Sequence, residues 1–192
     1  MVELSASKAL GESEGEVRWT ERSMTELIEH LIATHHVFTR DELERATGLM
    51  NKVIAAHGAT HPELEDIART FEALRDDLIP HLQKEEVILF PYVRAIDGGA
   101  APRGPFPTVM MPVRMMDMEH DGAGKLLASL RKQTRDYTAP SGACGTWRAL
   151  WDSLQSLERD LRTHIHLESN VLFPRAIAAE AAARSTRSHA GH

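Results

Sequence analysis

Apolar residues recur along this chain at helical spacing, and nowhere do they alternate with polar ones. Residues 20–57 carry Leu27, Leu31, Ile32, Val37, Phe38, Leu43, Leu49, Met50, Val53 and Ile54. That stripe marks one face of a helix. Three further stretches, residues 62–97, 108–137 and 141–183, are equally poor in breakers. Glycine and proline cluster between them, at residues 58–62, at 98–107 and at 140–142. Thr60 and Pro62 are placed to cap and open the second stretch. The absence of a period-2 segment excludes a sheet, so the pattern predicts an all-α, antiparallel up-down-up-down four-helix bundle. It assigns residues 1–19 to a flexible leader, 20–183 to the bundle and 184–192 to a disordered tail.

The second and fourth stretches repeat one phrase. Asp77-x3-His81-x3-Glu85-x3-Leu89-Phe90-Pro91 returns as Asp160-x3-His164-x3-Glu168-x3-Leu172-Phe173-Pro174, each residue 83 positions later. The first and third stretches offer single histidines, His36 and His120, 84 positions apart. The chain therefore reads as two copies of a helical hairpin. Positions i and i+4 share a helix face, so His81 points with Glu85 and His164 with Glu168.

Two residues of an antiparallel hairpin are level when the turn lies midway between them. The midpoint of 36 and 81 falls at Gly58, and that of 120 and 164 at Gly142. The midpoint of 85 and 120 falls in the long glycine-proline segment. His36, His81, Glu85, His120, His164 and Glu168 thus share one layer of the bundle. On an ideal wheel His35 is turned by about 100° and His30 by about 120° from His36, and His166 by about 200° from His164. His57 lies roughly 30 Å along the helix from His36 at 1.5 Å per residue. His61 falls in a turn, and His189 and His192 in the tail.

Composition narrows the chemistry. Eleven histidines stand in 192 residues, against one cysteine, Cys144. One cysteine excludes an internal disulfide and a thiolate-only metal cage. A net charge of −6 and 5% aromatics argue against a nucleic-acid surface. No run is apolar for the roughly 18 residues of a membrane span, and residues 1–15 have no apolar core of an export signal. The expected compartment is the cytoplasm. Four histidines and two glutamates converging in a bundle form a dinuclear metal site, because a carboxylate can bridge two cations. Nitrogen and oxygen donors without thiolate suit iron or manganese, and zinc less specifically.

These residues carry a family resemblance. His81-Leu-Gln-Lys-Glu-Glu-Val-Ile-Leu-Phe-Pro91, Glu119-His120-Asp121 and His164-Ile-His-Leu-Glu-Ser-Asn-Val-Leu-Phe-Pro174 resemble the hemerythrin-like HHE domain. Within it they are closest to the repair-of-iron-centres family, as is Ser141-Gly-Ala-Cys-Gly-Thr-Trp147. The resemblance spans roughly residues 20–180. It implies two irons held by His36, His81, His120 and His164, with Glu85 and Glu168 as bridging carboxylates and an oxo or hydroxo bridge between the metals. It implies a role in nitrosative or oxidative stress, binding or reducing nitric oxide or supplying iron to damaged iron–sulfur proteins. Asp77 and Glu119 match acidic positions on a path to the irons, and His57 matches a family histidine. Family members often carry an N-terminal domain with a cysteine pair, which this sequence does not contain, so that domain's thiol chemistry is not expected. The alternative is a dioxygen carrier or sensor, which in this fold uses a fifth histidine; the layer supplies four.

Four other features have plainer expected roles. Asp77 and Asp160, one turn before His81 and His164, are placed to orient them. Leu-Phe-Pro at both repeats is read as packing with a kink, since proline frees the carbonyls of Val87 and Asn170. Met110, Met111, Met115, Met116 and Met118 read as adaptable core. Cys144 reads as a helix-start residue without chemistry.

Overall fold

The computed structural model describes residues 18–100, 102 and 104–189, and everything described is helix, turn or loop. Four long helical segments form the bundle. The first, α1 (residues 24–57), comprises α-helical Met24–His30, a π-helical stretch Leu31–His36 and α-helical Val37–His57. The second, α2 (residues 63–97), comprises Glu63–Lys84, a π-helical stretch Glu85–Leu89 and Phe90–Asp97. The third, α3, is Met110–Gln133 and is α-helical throughout. The fourth, α4 (residues 145–189), comprises Gly145–Leu167, a π-helical stretch Glu168–Leu172 and Phe173–His189. No helix among the described residues is long and apolar enough to cross a membrane.

Local chemistry sets the ends. Ser23 opens α1 with a capping box: its hydroxyl accepts from the Glu26 N–H, and the Glu26 carboxylate accepts from the Ser23 N–H. Asp97, at the end of α2, accepts from the Thr25 N–H at 2.9 Å and so ties that end to the start of α1. α3 stops at Gln133, four residues before the sequence pattern suggested. There Arg135, Asp136 and Tyr137 take φ of 51°, 57° and 55°. The Asp136 N–H reaches the Arg131 carbonyl and the Arg135 N–H that of Lys132, the paired bonds of a Schellman stop. Arginine stands where glycine usually signals such a stop. At the other end of the chain α4 runs to His189, where a disordered tail was expected from residue 184. Alanines at 176, 178, 179 and 181–183 favour helix, and no glycine or proline intervenes before Gly191. The expected leader lies outside the described residues except for its last two positions.

Packing is strongest between α1 and α4 and between α2 and α3. The apolar core falls into two clusters. One, with Leu43, Met50, Phe71, Leu74, Leu127, Trp147, Trp151 and Leu161, fills the end near the short turns. The other, with Leu27, Leu31, Phe90, Val93, Met116, Leu172 and Phe173, fills the opposite end. A polar layer separates them. Of the methionine run, only Met116 is core; Met110, Met111, Met115 and Met118 are exposed, so that stripe faces solvent and not the interior.

Candidate metal centre

The polar layer consists of the six residues that the repeat and the hairpin midpoints selected. His36, His81, Glu85, His120, His164 and Glu168 are all buried, and both glutamates are wholly so. They form two groups of four. His36, Glu85, His164 and Glu168 place one donor atom each within 4.8 Å of one another, and so do His81, Glu85, His120 and Glu168. Both carboxylates belong to both groups.

Their oxygens are divided between the groups. Glu85 turns Oε2 toward His36 Nε2 at 3.5 Å and Oε1 toward His81 Nε2 at 3.3 Å. Glu168 turns Oε1 toward His164 Nε2 at 3.1 Å and Oε2 toward His120 Nε2 at 3.3 Å. These approaches lack hydrogen-bond geometry. His36 Nε2, His120 Nε2, His164 Nε2 and all four carboxylate oxygens have no hydrogen-bond partner. Each buried orphan of this kind costs about 1–3 kcal/mol, more when charged. Seven unpartnered donor atoms converging in two overlapping groups of four are a donor set that a pair of metal ions would satisfy, so the residues fit such a pair.

The outer nitrogens explain which ring atom faces inward. His36 Nδ1 lies 2.7 Å from Glu86 Oε1, which also pairs with Arg40. His81 Nδ1 lies 2.8 Å from Glu119 Oε2, and the other oxygen of that carboxylate, Oε1, pairs with Lys84. His120 Nδ1 lies 3.3 Å from Ser169 Oγ, whose hydroxyl donates to Asp117. A carboxylate or hydroxyl on Nδ1 fixes the ring and directs Nε2 at the metal position. His164 Nδ1 has no such partner; instead the His35 ring stacks on it at 5.7 Å with the planes 9° apart.

The sequence reading of the orienting residues needs correction. Asp160 does not orient His164; it lies 2.9 Å from His35 Nδ1. Asp77 is exposed and lines a cavity of about 310 Å³ that also contacts Lys84, Glu119, His81, His120 and His164. Glu119 lines the same cavity, but its bond to His81 makes it a positioning residue as well. Glu86 and Ser169, which do the same for His36 and His120, follow Glu85 and Glu168 by one residue and carry no sequence signal of their own. Their roles depend on contacts across helices that no periodicity reveals.

Local helix irregularity positions the layer. The Phe90 N–H reaches back to the Glu85 carbonyl, and the Phe173 N–H to that of Glu168. Each bond skips one residue beyond the α pattern, just before Pro91 or Pro174. The expected kink is therefore realised as a π turn, the kind of irregularity common at functional sites. The third π stretch ends on His36 and buries His35 beside it, which an ideal wheel turns outward. Among the described residues the other histidines stay out of both groups, while the side chain of His189 and the whole of His192 lie outside the described residues. His57 lies against Cys144, His61 against Glu63, His30 against Trp19, and His166 is exposed beside Asn170.

Burial and neighbouring charge set the ionisation of the layer residues. Burial, then the charge of Glu168, pushes the Glu85 carboxyl up to about 7. Burial opposes ionisation of Glu168 too, but His164 and His120 outweigh it and hold that carboxyl low. Burial works against a charged His81, yet Glu85 and Glu119 bring it up to about 9. Burial and then His164 drive His36 down to about 4. Two carboxylates share one dry layer, so the charge on Glu168 opposes the ionisation of Glu85.

Residues 27–176 match the family model described as the hemerythrin HHE cation binding domain. The chain is 36% identical over 172 residues to the iron-sulfur cluster repair protein YtfE of Cronobacter sakazakii, covering 90% of this chain and 74% of that protein. It is 35% identical to the protein of that name from Escherichia coli O157:H7 over 171 residues, with 89% and 74% covered. The same name and identity recur in Yersinia pseudotuberculosis over 162 residues, with 84% and 70% covered. With a four-helix bundle, a buried histidine and glutamate layer and these matches, the chain belongs to the hemerythrin HHE cation-binding family, alongside the YtfE proteins of iron–sulfur cluster repair.

Proposed function

We propose that this is a non-heme di-iron protein that supplies iron for the repair of iron–sulfur clusters damaged by nitrosative or oxidative stress. The carrying observation is that Glu85 and Glu168 each direct one oxygen to either group of histidines. Such sharing suits two cations bridged by two carboxylates, each completed by two imidazoles. Iron is favoured over zinc by the family and by the absence of thiolate among the donors. The names of the relatives supply the target, iron–sulfur proteins. When bound, an iron pair supplies redox chemistry and open positions for a small diatomic ligand such as nitric oxide.

The chain's own residues do the rest. Glu86, Glu119 and Ser169 hold three imidazoles with Nε2 inward. The cavity beside His81 and His120 gives a way in and out, with the Lys84–Glu119 pair at its wall and exposed Asp77 among its lining residues. Four protein donors per metal leave room for an added ligand and hold the ion less completely than a closed cage. A dioxygen carrier of this fold uses a fifth histidine. The nearest one here, His35, is engaged by Asp160 and belongs to neither group.

Metal analysis of the purified protein tests the reading: close to two irons per chain are expected. One tightly held ion at full loading would overturn the dinuclear assignment. Asp77→Ala is expected to keep both irons and to slow transfer to an apo iron–sulfur acceptor, because a hard oxygen ligand on the way out is lost. Glu119→Ala is expected to weaken iron binding about 10–100-fold by freeing the His81 ring. Equal transfer rates in Asp77→Ala and wild type would remove the proposed route.

A further inference from the structure

The internal repeat builds two half-sites that the sequence then treats differently. Residues of α2 recur in α4 after 83 positions, and those of α1 in α3 after 84. By that correspondence His81 matches His164, and His36 matches His120. An exact repeat would open both metal positions alike. The cavity of about 310 Å³ instead lies against both His81 and His120, which serve one position, but against only His164 of the two histidines at the other. His81 and His120 keep 4% and 7% exposure, against 0% for His36 and 1% for His164. The lining residues account for the difference. Gly122, where a Cβ would meet nothing within 4 Å, corresponds to Phe38, and Lys84 corresponds to buried Leu167. Glu119 corresponds to His35, whose ring stacks on His164 and is held by Asp160. Further out, His30 meets His35 edge-on at 5.4 Å and Trp19 stacks on His30 at 4.5 Å. A file of three rings thus stands on His164, whereas His81 borders the cavity.

We infer that the two metal positions are kinetically unequal. The ion served by His81, His120 and both glutamates is the one that exchanges and is available for transfer; the ion served by His36, His164 and both glutamates is retained. This deepens the proposed iron-donor role and rests on the dinuclear reading. An ion leaves when incoming ligands replace its donors one at a time, and those ligands need space beside it. The cavity supplies that space next to His81 and His120, with the carboxylates of Glu119 and Asp77 in its wall as hard oxygen ligands. Departure of the first ion does not undo the second. His36, His164, Glu85 and Glu168 remain as a group of four, and both carboxylates then serve one cation. His35 is a positioning residue on the retained side. His164 has no partner on Nδ1, so the stacked His35 ring does for it what Glu86, Glu119 and Ser169 do for the other three imidazoles. Asp160 in turn holds His35 in place.

Release of iron to ferrozine from the full-length, iron-loaded protein, reduced with dithionite and followed by absorbance without air, tests this. Two phases of one iron each are expected. Their rates should differ by about 10-fold or more, the scale on which the surroundings of a ligand histidine alter metal binding. Gly122→Phe, which puts the residue of the other half into the cavity, should slow the fast phase several-fold and leave the slow phase and the iron content unchanged. His35→Ala should speed the slow phase by about 10-fold or more, while His35→Phe, which keeps a ring on His164, should leave it slow. Release of both irons in one phase, or an unchanged fast phase in Gly122→Phe, would overturn the inference. A slow phase that is the same in His35→Ala as in wild type would overturn the role of His35. A chain that binds one iron at full loading would instead overturn the dinuclear reading beneath it. Two phases without transfer to an apo iron–sulfur acceptor would overturn the donor role and leave the inequality of the two positions standing.

Discussion

Glu85→Ala is expected to lose most or all of the bound iron, and Glu168→Ala to do the same, whereas His57→Ala keeps the full complement. The asymmetry follows from how the donors are shared. Each glutamate contributes an oxygen to both groups of four. Removing one side chain therefore takes a donor from each metal position at once and leaves three on either side, with one negative charge less between two cations. Losing a single histidine would cut into one group only, so His36→Ala should cost one iron more readily than two. Stability should move the other way in the metal-free proteins. Glu85 is buried against Glu168, and its carboxyl is pushed up to about 7 by that burial and that neighbour. Glu85→Gln keeps the volume and removes the like charge, so the metal-free variant should melt above metal-free wild type while holding less iron. Iron analysis and thermal melts of the chelated proteins measure both. A His57→Ala protein stripped of iron beside an iron-replete Glu85→Ala would show that the layer is misassigned.

The contrast between what the sequence displays and what it hides has a physical basis. The six layer residues were legible because an exact repeat and three turn positions constrain helix register, and register depends only on counting residues. The four-helix architecture was legible for the same reason. What failed were inferences that depend on rotation about the helix axis or on contacts between helices. An ideal wheel turned His35 to the outside, but the π stretch at Leu31–His36 changes the phase and buries it against His164. Asp160 sits one turn before His164 yet reaches His35 on another helix. Glu86 follows Glu85 by one residue and carries no periodic signal; contact with His36 and Arg40 across helices gives it its place. The stop of α3 was hidden because Arg135, not glycine, adopts the left-handed conformation there. Cys144 was correctly placed at a helix start, but the imidazole beside it comes from a residue 87 positions away.

Removing iron with a chelator should lower the melting temperature by on the order of 10 °C while leaving the helical circular dichroism largely intact. Metal bound to the folded form alone stabilises it by about 4 kcal/mol at a thousand-fold excess over Kd. For a chain of this size each kcal/mol moves Tm by about 2–4 °C. Helicity should survive because the two apolar clusters on either side of the layer, one around Phe71 and Trp151 and one around Phe90 and Phe173, do not require the metal. The gap between loaded and chelated protein should also widen with pH. In the metal-free state His81 is raised to about 9, so its contribution is complete below its unfolded value of about 6.5 and is lost as pH rises through 9. Glu85, raised to about 7, likewise loses its contribution between about 4.5 and 7. His36, lowered to about 4, has the opposite sign, but its contribution is complete above about 6.5 and does not offset the loss. Metal ligands carry no such protons, so protein loaded before the pH change is spared these losses. Melts of loaded and chelated protein from pH 6 to 9 should therefore diverge, chiefly because the chelated form softens. A constant gap would mean that neither His81 nor Glu85 takes up protons more readily in the chelated folded protein than in the unfolded chain, and collapse of the helical signal on chelation would mean that the metal, not the two clusters, holds the bundle.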